Sequence, residues 1–196
     1  MNKSCLLCGV GGQGVVLASK LIAYAAMEQG KFVRTTETIG MAQRGGSVVS
    51  HVRMGTEVHS PLIPLKCADM LLAFEPAEAV RCLPYLKVGG TVIVSSKAVK
   101  PVTATLSGST YEGTEMLDYL KKNVENLAIL DGEEICSQAG SSRVLNVALL
   151  GAAAASGVLD ISAEEMESAV AVNVKEKFLD MNRKALTLGM TAFEKA

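Results

Sequence analysis

The chain has 196 residues, with 20 acidic against 19 basic side chains and a net charge of −1, so it lacks the broad positive field that nucleic acid or anionic lipid requires. Tryptophan is absent and aromatics make up 4% of the residues, which removes base-stacking platforms and leaves an aliphatic core of Val, Leu, Ile, Ala and Met. The length fits one well-filled domain over residues 1–196.

The first predicted strand runs from Lys3 to Cys8 and meets a glycine-rich turn, Gly9-Val10-Gly11-Gly12-Gln13-Gly14. An amphipathic helix follows over Val15 to Gln29, with Val15, Leu17, Ala18, Leu21, Ile22 and Ala25 on its apolar side. Gly30 supplies its C-terminal cap. A strand, a glycine turn and a helix together bring backbone N–H groups and the positive end of a helix dipole onto one anion. A second strand over Phe32 to Glu37 completes a βαβ unit, for which a right-handed parallel crossover is expected.

The pattern then breaks. Thr38 to Gly46 is a polar, glycine-bearing loop. Ser47 to Met54 reads as a strand, and Gly55-Thr56 turns it into a second one, Glu57 to Ser60, forming a β-hairpin inserted in the sheet. Pro61 and Pro64 mark a connection. Asp69 to Phe74 is a buried strand, and Pro76 opens a helix reaching Leu86. Gly89-Gly90 turns the chain into a strand over Thr91 to Ser95. Lys97 to Tyr111 reads as loop or edge strand, Gly113 to Asn123 as helix and Leu127 to Leu130 as strand.

The last third is helical. Ser141 or Ser142 caps a helix reaching Ser156. Ser162 and Glu165 form a capping box that starts a helix to Val172, and a final helix covers Lys175 to Leu188. These elements predict an α/β fold: one Rossmann-like, doubly wound and mostly parallel sheet with an inserted β-hairpin.

Lys3 is followed by an apolar run too short for a secretory leader. The most apolar later stretch, Val144 to Leu159, is interrupted by Asn146, Gly151, Ser156 and Gly157. It falls short of the ~20 residues of a spanning helix and reads as a buried one. The five scattered cysteines suit reduced thiols in a cytoplasmic protein. Cys5 and Cys8 are spaced as C-x-x-C, but in a strand they point to opposite faces, which makes them core residues.

Several chemistries compete for this framework. Glu37 stands 23 positions after Gly14, near where a dinucleotide-binding fold places its ribose-binding acid. An NAD-dependent reductase is therefore one alternative, although no hydride-transfer constellation accompanies the motif. The two histidines, His51 and His59, both fall in the predicted hairpin; His51 shares a strand face with Val49 and Arg53. No nucleophile elbow and no metal-ligand spacing is present, so no metal is expected on this chain. The loop Gln43-Arg44-Gly45-Gly46-Ser47 offers an amide, a guanidinium, two permissive backbone positions and a hydroxyl. It follows the second strand, and loops at the carboxyl ends of strands lie side by side in an α/β sheet. It is therefore expected to face the Gly9–Gly14 turn and complete an anion site, with Arg44 gripping phosphate or carboxylate.

Two segments, GVGGQGVVLASKLIAYAA and ETIGMAQRGGSVVSHVRMG, together resemble the gamma-type subunits of 2-oxoacid:ferredoxin oxidoreductases, especially the small subunit of indolepyruvate:ferredoxin oxidoreductase. Met41 to Arg53 is the most specific part; Arg143-Val144-Leu145-Asn146 with Leu150-Gly151 is similar to the family's later helix. The likeness covers residues 4–157 and continues onward. It implies oxidative decarboxylation of a 2-oxoacid, such as indolepyruvate or another arylpyruvate, with transfer of the acyl group to coenzyme A and of electrons to ferredoxin. Pyruvate and 2-oxoglutarate are alternative substrates. The resemblance assigns thiamine diphosphate and iron–sulfur clusters to a large partner subunit, and to this chain a share in holding coenzyme A. Residue by residue, that share falls on Gly9, Gly11, Gly12, Gln13, Gly14, Gln43, Arg44, Gly45, Gly46, Ser47 and Asn146. Some relatives carry lysines near Ala42 and Gln43, and here Arg44 takes the phosphate grip. A subunit inactive alone is expected to expose apolar surface, with Ile39 and Met41 as candidates, and to self-associate without its partner.

Overall fold

A computed structural model describes residues 2–40, 45–100 and 110–196. The described residues form six strands: β1 (Lys3–Val10), β2 (Phe32–Ile39), β3 (Ser47–Gly55), β4 (Ala68–Ala73), β5 (Leu86–Ser95) and β6 (Asn126–Leu130). They also form seven α-helices: α1 (Val15–Glu28), α2 (Pro76–Cys82), α3 (Thr114–Asn123), α4 (Gly132–Ala139), α5 (Leu145–Ala155), α6 (Ala163–Asn173) and α7 (Leu179–Glu194). The sheet order is β2-β3-β1-β4-β5-β6. The pairs β1–β4, β4–β5 and β5–β6 are parallel, whereas β3 is antiparallel to both neighbours. The expected α/β architecture with a mostly parallel sheet is present.

Side chains of the central strands alternate between two cores. Cys5 and Leu7 of β1 join Met70, Leu72 and Ile93 beneath α1 and α4–α7, while Leu6 and Cys8 join Leu71, Ala73, Val92 and Val94 beneath α2 and α3. The opposite orientation expected for Cys5 and Cys8 follows from this period-2 alternation. Helices on both sheet faces make three layers. The deepest helix contact is between α5 and α7, where glycines replace side chains. A Cβ on Gly151 would lie 2.1 Å from the Leu186 carbonyl oxygen, and one on Gly189 would lie 1.8 Å from that of Ala148. The two backbones therefore touch directly, which only the absence of a side chain permits.

β1 and β2 run in the same direction, as expected of the βαβ unit, with β3 lying between them. One sequence expectation is corrected: Glu57 to Ser60 is not a strand, and the antiparallel partners of β3 are β2 and β1, with Phe32 facing Gly55 and Ile39 facing Val48. The hairpin is thus β2–β3, joined across residues 40–46. Its strands hold more ladder hydrogen bonds than a short Glu57–Ser60 strand offers.

The connection after β3 is tied down by His51. Its Nδ1 accepts the Ile63 N–H at 3.2 Å, and its ring stands edge-on to Tyr85 with centroids 5.6 Å apart. Arg53 donates to the Ser60 and Leu62 carbonyls on the same face. These contacts replace the ladder that a Glu57–Ser60 strand would have made.

The remaining differences are local. Helix α2 ends at Cys82 and passes through a 3-10 turn, Leu83–Tyr85, so β5 begins at Leu86. The Gly89-Gly90 pair belongs to an irregular step in the β4–β5 register rather than to a free turn. Helix α4 was not expected, and the final helix begins later and runs further, after a 3-10 turn at Glu176–Phe178. Of the Lys97–Tyr111 stretch, residues 101–109 lie outside the described residues, and the rest is irregular. No helix among the described residues is long and apolar enough to cross a membrane.

Candidate functional site

The glycine turn leaves the carboxyl end of β1 and enters α1. Gly9 is needed for space, since a Cβ there would lie 2.6 Å from Gln13 Oε1 and 2.8 Å from Phe74 Cβ. Gly12 and Gly14 are needed for backbone shape, with φ of 101° and 81°. Gln13 braces the turn: its Oε1 accepts the Val10 N–H at 2.8 Å, and its Nε2 donates to the Phe74 carbonyl at 2.9 Å. The amide expected to face a ligand is therefore engaged on both ends within the protein, tying β1 to the end of β4.

Gly14 is the N-cap of α1. No side chain caps this helix, and its first turn carries no acidic residue. The first-turn N–H groups and the positive end of the helix dipole are left for an external anion.

The second loop meets the first. The Gly11 N–H donates to the Gly46 carbonyl at 2.8 Å, and the Gly45 N–H donates to the Gly11 carbonyl at 3.3 Å. The two glycine segments are thus one hydrogen-bonded unit. The insertion of β3 beside β1 produces this: the amino end of an antiparallel strand lies at the carboxyl end of its neighbour, and Ser47 faces Val10. Gln43 and Arg44 lie outside the described residues.

Ser47 has partners that its sequence context does not reveal. Its hydroxyl donates to Glu78 Oε2 at 2.7 Å and accepts from Arg81 Nη2 at 2.6 Å. Arg81 also pairs with Glu78, which holds its guanidinium above its ordinary pKa. Both residues are on α2, and only their i, i+3 spacing behind Pro76 hinted at a helical ion pair. The exposed Arg81 side chain adds a cation next to the joined loops.

Asn146 comes from the start of α5. It is 4% exposed, and its Oδ1 has no hydrogen-bond partner among the described residues. Its Nδ2 lies 2.8 Å from where a Cβ on Gly14 would be. The sequence-predicted Gly9–Gly14, Gly45–Ser47 and Asn146 therefore converge at one end of the sheet, against α1. Glu37 does not join them in the manner of a ribose-binding acid. It pairs with Ser50, which pairs with Leu7, so it sits on the exposed edge two strands away from β1.

The buried groups elsewhere are structural. Burial lowers the His51 pKa. His59 is a surface residue beside Glu57. Cys8 lies against Cys82, and that contact together with burial pushes its thiol well up. No group of three His, Cys, Asp or Glu side chains among the described residues is arranged to hold a metal ion. No three of the five cysteines come together among the described residues, whereas an iron–sulfur cluster takes about four.

The sequence matches the pyruvate ferredoxin/flavodoxin oxidoreductase family over residues 4–192. The chain belongs to this family. Among relatives in the pyruvate ferredoxin/flavodoxin oxidoreductase family, it is 36% identical over 192 residues to the indolepyruvate oxidoreductase subunit IorB of Thermococcus kodakarensis, covering 95% of this chain and 94% of that one. The crystal structure of a keto/oxoacid ferredoxin oxidoreductase gamma subunit from Geobacter sulfurreducens matches with a TM-score of 0.73 at 27% identity, covering 100% of this chain and 98% of that one. The 2-oxoglutarate:ferredoxin oxidoreductase of Magnetococcus marinus, solved with 2-oxoglutarate, coenzyme A and succinyl-CoA, shares the fold with a TM-score of 0.73 at 20% identity. This chain is covered in full there and corresponds to 31% of that longer polypeptide.

Proposed function

We propose that this chain is the small subunit of a cytoplasmic 2-oxoacid:ferredoxin oxidoreductase acting on indolepyruvate or a similar arylpyruvate, and that it holds coenzyme A for the acyl-transfer step. The substrate class is supported by the likeness to IorB. The observation that carries the coenzyme A reading is the union of the two glycine loops through Gly11 and Gly46 in front of an uncapped helix. Such a surface suits a pyrophosphate: the first-turn N–H groups of α1 have no side-chain cap, and no carboxylate competes in that turn. Arg44, four residues before Val48, adds the bidentate grip.

Thiamine diphosphate and iron–sulfur clusters, held by a large partner subunit, supply decarboxylation and electron transfer to ferredoxin. The contribution of this chain is orientation: it fixes the phosphorylated end of the carrier so that its thiol reaches chemistry housed on the partner. Gly11 and Gly12 let the carrier approach the backbone, Gly9 and Gly14 make room for Gln13, Phe74 and Asn146 behind the turn, Gln13 keeps the turn rigid, and Gly45, Gly46 and Ser47 close the other side.

The test is steady-state kinetics of the assembled two-subunit enzyme carrying Arg44→Ala. The KM for coenzyme A should rise about tenfold or more while the KM for the 2-oxoacid stays within twofold, as expected when a charge-assisted bond to one substrate is lost. Unchanged coenzyme A kinetics would refute the assignment.

A further inference from the structure

Both glycine loops are fastened to one short stretch of chain, Phe74 to Arg81, where β4 ends and α2 begins. The first loop is held from Phe74. The Phe74 N–H donates to the Cys8 carbonyl at 2.8 Å, and the Phe74 carbonyl accepts Gln13 Nε2 at 2.9 Å. The second loop is held from α2. Ser47, the first residue of β3, gives its proton to Glu78 Oε2 and accepts from Arg81 Nη2, while Arg81 Nε and Nη2 both donate to Glu78. The three side chains close a triangle of hydrogen bonds. The junction itself is anchored: the buried Glu75 carboxylate caps α2 by accepting the Glu78 N–H at 3.1 Å, and it also accepts the Tyr111 hydroxyl.

We propose that Glu78 and Arg81 are positioning residues for coenzyme A binding: by gripping the Ser47 hydroxyl they set the second glycine loop against the first, without touching the carrier. The proposal rests on the coenzyme A reading above and gives two residues of α2 a part in it.

Two observations carry it. The first is the chemistry of Ser47. A serine hydroxyl has one proton to give. Here that proton goes to Glu78, so the side chain has none left for a phosphate oxygen. What Ser47 brings to the site is the place of its backbone. Gly46, the residue before it, accepts the Gly11 N–H, and Gly45 donates to the Gly11 carbonyl. The second observation is the setting of the grip. The Glu78 side chain is 13% exposed and that of Arg81 49%. A carboxylate largely withdrawn from water is screened less than a surface one, and its hydrogen bonds are charge-assisted, hence shorter and stronger than neutral ones. Because the β1 exit and the β3 entry are bound to one junction, their separation is set from Phe74 and α2 as well as by the Gly11–Gly46 bond. Glycine backbone has little stiffness of its own, so a side-chain anchor at its end decides where its polar groups stand. Without the anchor, binding the carrier must also order that backbone.

The test is steady-state kinetics of the assembled two-subunit enzyme, with circular dichroism establishing that each variant is folded. The variants are Glu78→Ala, Arg81→Ala, Ser47→Ala and the two doubles that combine Ser47→Ala with each change in α2. Arg81 is half-exposed and the position the fold tolerates more readily, so Arg81→Ala carries the test if Glu78→Ala does not fold. Each α2 variant should raise the KM for coenzyme A about threefold or more, the net worth of a hydrogen bond to a charged group. The kcat at saturating coenzyme A and the KM for the 2-oxoacid should stay within about twofold, the split that separates positioning of one substrate from general damage. Added to Ser47→Ala, the same change should raise the coenzyme A KM by less than about twofold further, because residues that act through one contact are not additive. An unchanged coenzyme A KM in the α2 variants, beside a raised one in Arg44→Ala, overturns the positioning role and leaves the coenzyme A reading standing. Full additivity with Ser47→Ala overturns it in favour of direct contact with the carrier. A parallel loss of kcat or of 2-oxoacid affinity overturns it in favour of a purely structural role. An unchanged coenzyme A KM in Arg44→Ala as well overturns both readings.

Discussion

The Gly11 N–H donates to the Gly46 carbonyl at 2.8 Å, so two loops far apart in sequence behave as one backbone surface. The bond depends on β3 lying beside β1, because that placement alone brings Ser47 opposite Val10. The anion-binding end of this sheet is thus built from a parallel strand's exit and an antiparallel strand's entry, rather than from two parallel exits.

Gly14 and Gly12 separate conformational from steric need. Gly12→Ala meets open space at φ 101°, whereas Gly14→Ala at φ 81° also pushes against Asn146 at 2.8 Å. Gly12→Ala should cost about 1–2 kcal/mol, the left-handed backbone penalty, and Gly14→Ala should cost more. Urea unfolding of both variants at constant pH checks the order.

The α5–α7 contact predicts a larger effect. A methyl at Gly189 would stand 1.8 Å from the Ala148 carbonyl oxygen, a backbone atom that cannot rotate away. Gly189→Ala should destabilise the fold by about 3 kcal/mol or more, at the upper end of overpacking penalties. A melting temperature within a degree or two of the parent would contradict direct backbone contact there.

His51 predicts a pH dependence of stability. Burial holds its folded pKa below the ordinary 6.5. In the window between the two values the unfolded chain binds the proton and the folded chain does not. Stability from this residue is therefore complete above pH 6.5 and is lost as pH falls toward the folded pKa. His51→Gln keeps a polar side chain but does not titrate, so the slope of unfolding free energy against pH should flatten in this range. Chemical denaturation at several pH values reads that slope.

Thiol reactivity reports on the two cores. Cys67 is exposed, while Cys5, Cys8, Cys82 and Cys136 are buried. Burial also pushes the Cys5 and Cys136 thiols up, away from the reactive thiolate. Titration with a disulfide reagent should show one fast thiol in the native protein and five after denaturation, and Cys67→Ser should remove the fast phase.

Much of this was legible in the sequence because it is local. The glycine turn, the α1 boundaries, the Pro76 helix start and the Ser162–Glu165 capping box follow from residues within a few positions of each other. Helix α4 was also signalled, by Asp131 accepting the Glu133 and Glu134 N–H groups and by Gly140 at φ 89°, but eight residues carry too little periodicity to stand out. Strand adjacency was not legible. Gly55-Thr56 resembles a hairpin turn by composition, and only the burial of both faces of β3 between β1 and β2 rules that out. The Ser47–Glu78–Arg81 cluster was hidden for the same reason, since its members meet only after α2 folds over the sheet. Asn146 was legible by resemblance, but its orphan oxygen was not.

Helix α7 carries Met181 to a cavity that it shares with Leu17 of α1 and Asn146 of α5, and it is the helix that Gly189 fastens to Ala148. Occupancy and unfolding are therefore linked through a single rod. Any compound that fills the space must be expelled before that rod can detach, so heat resistance rises with the logarithm of its concentration above Kd. A simple melting scan becomes a ligand search, needing neither electron acceptor nor turnover.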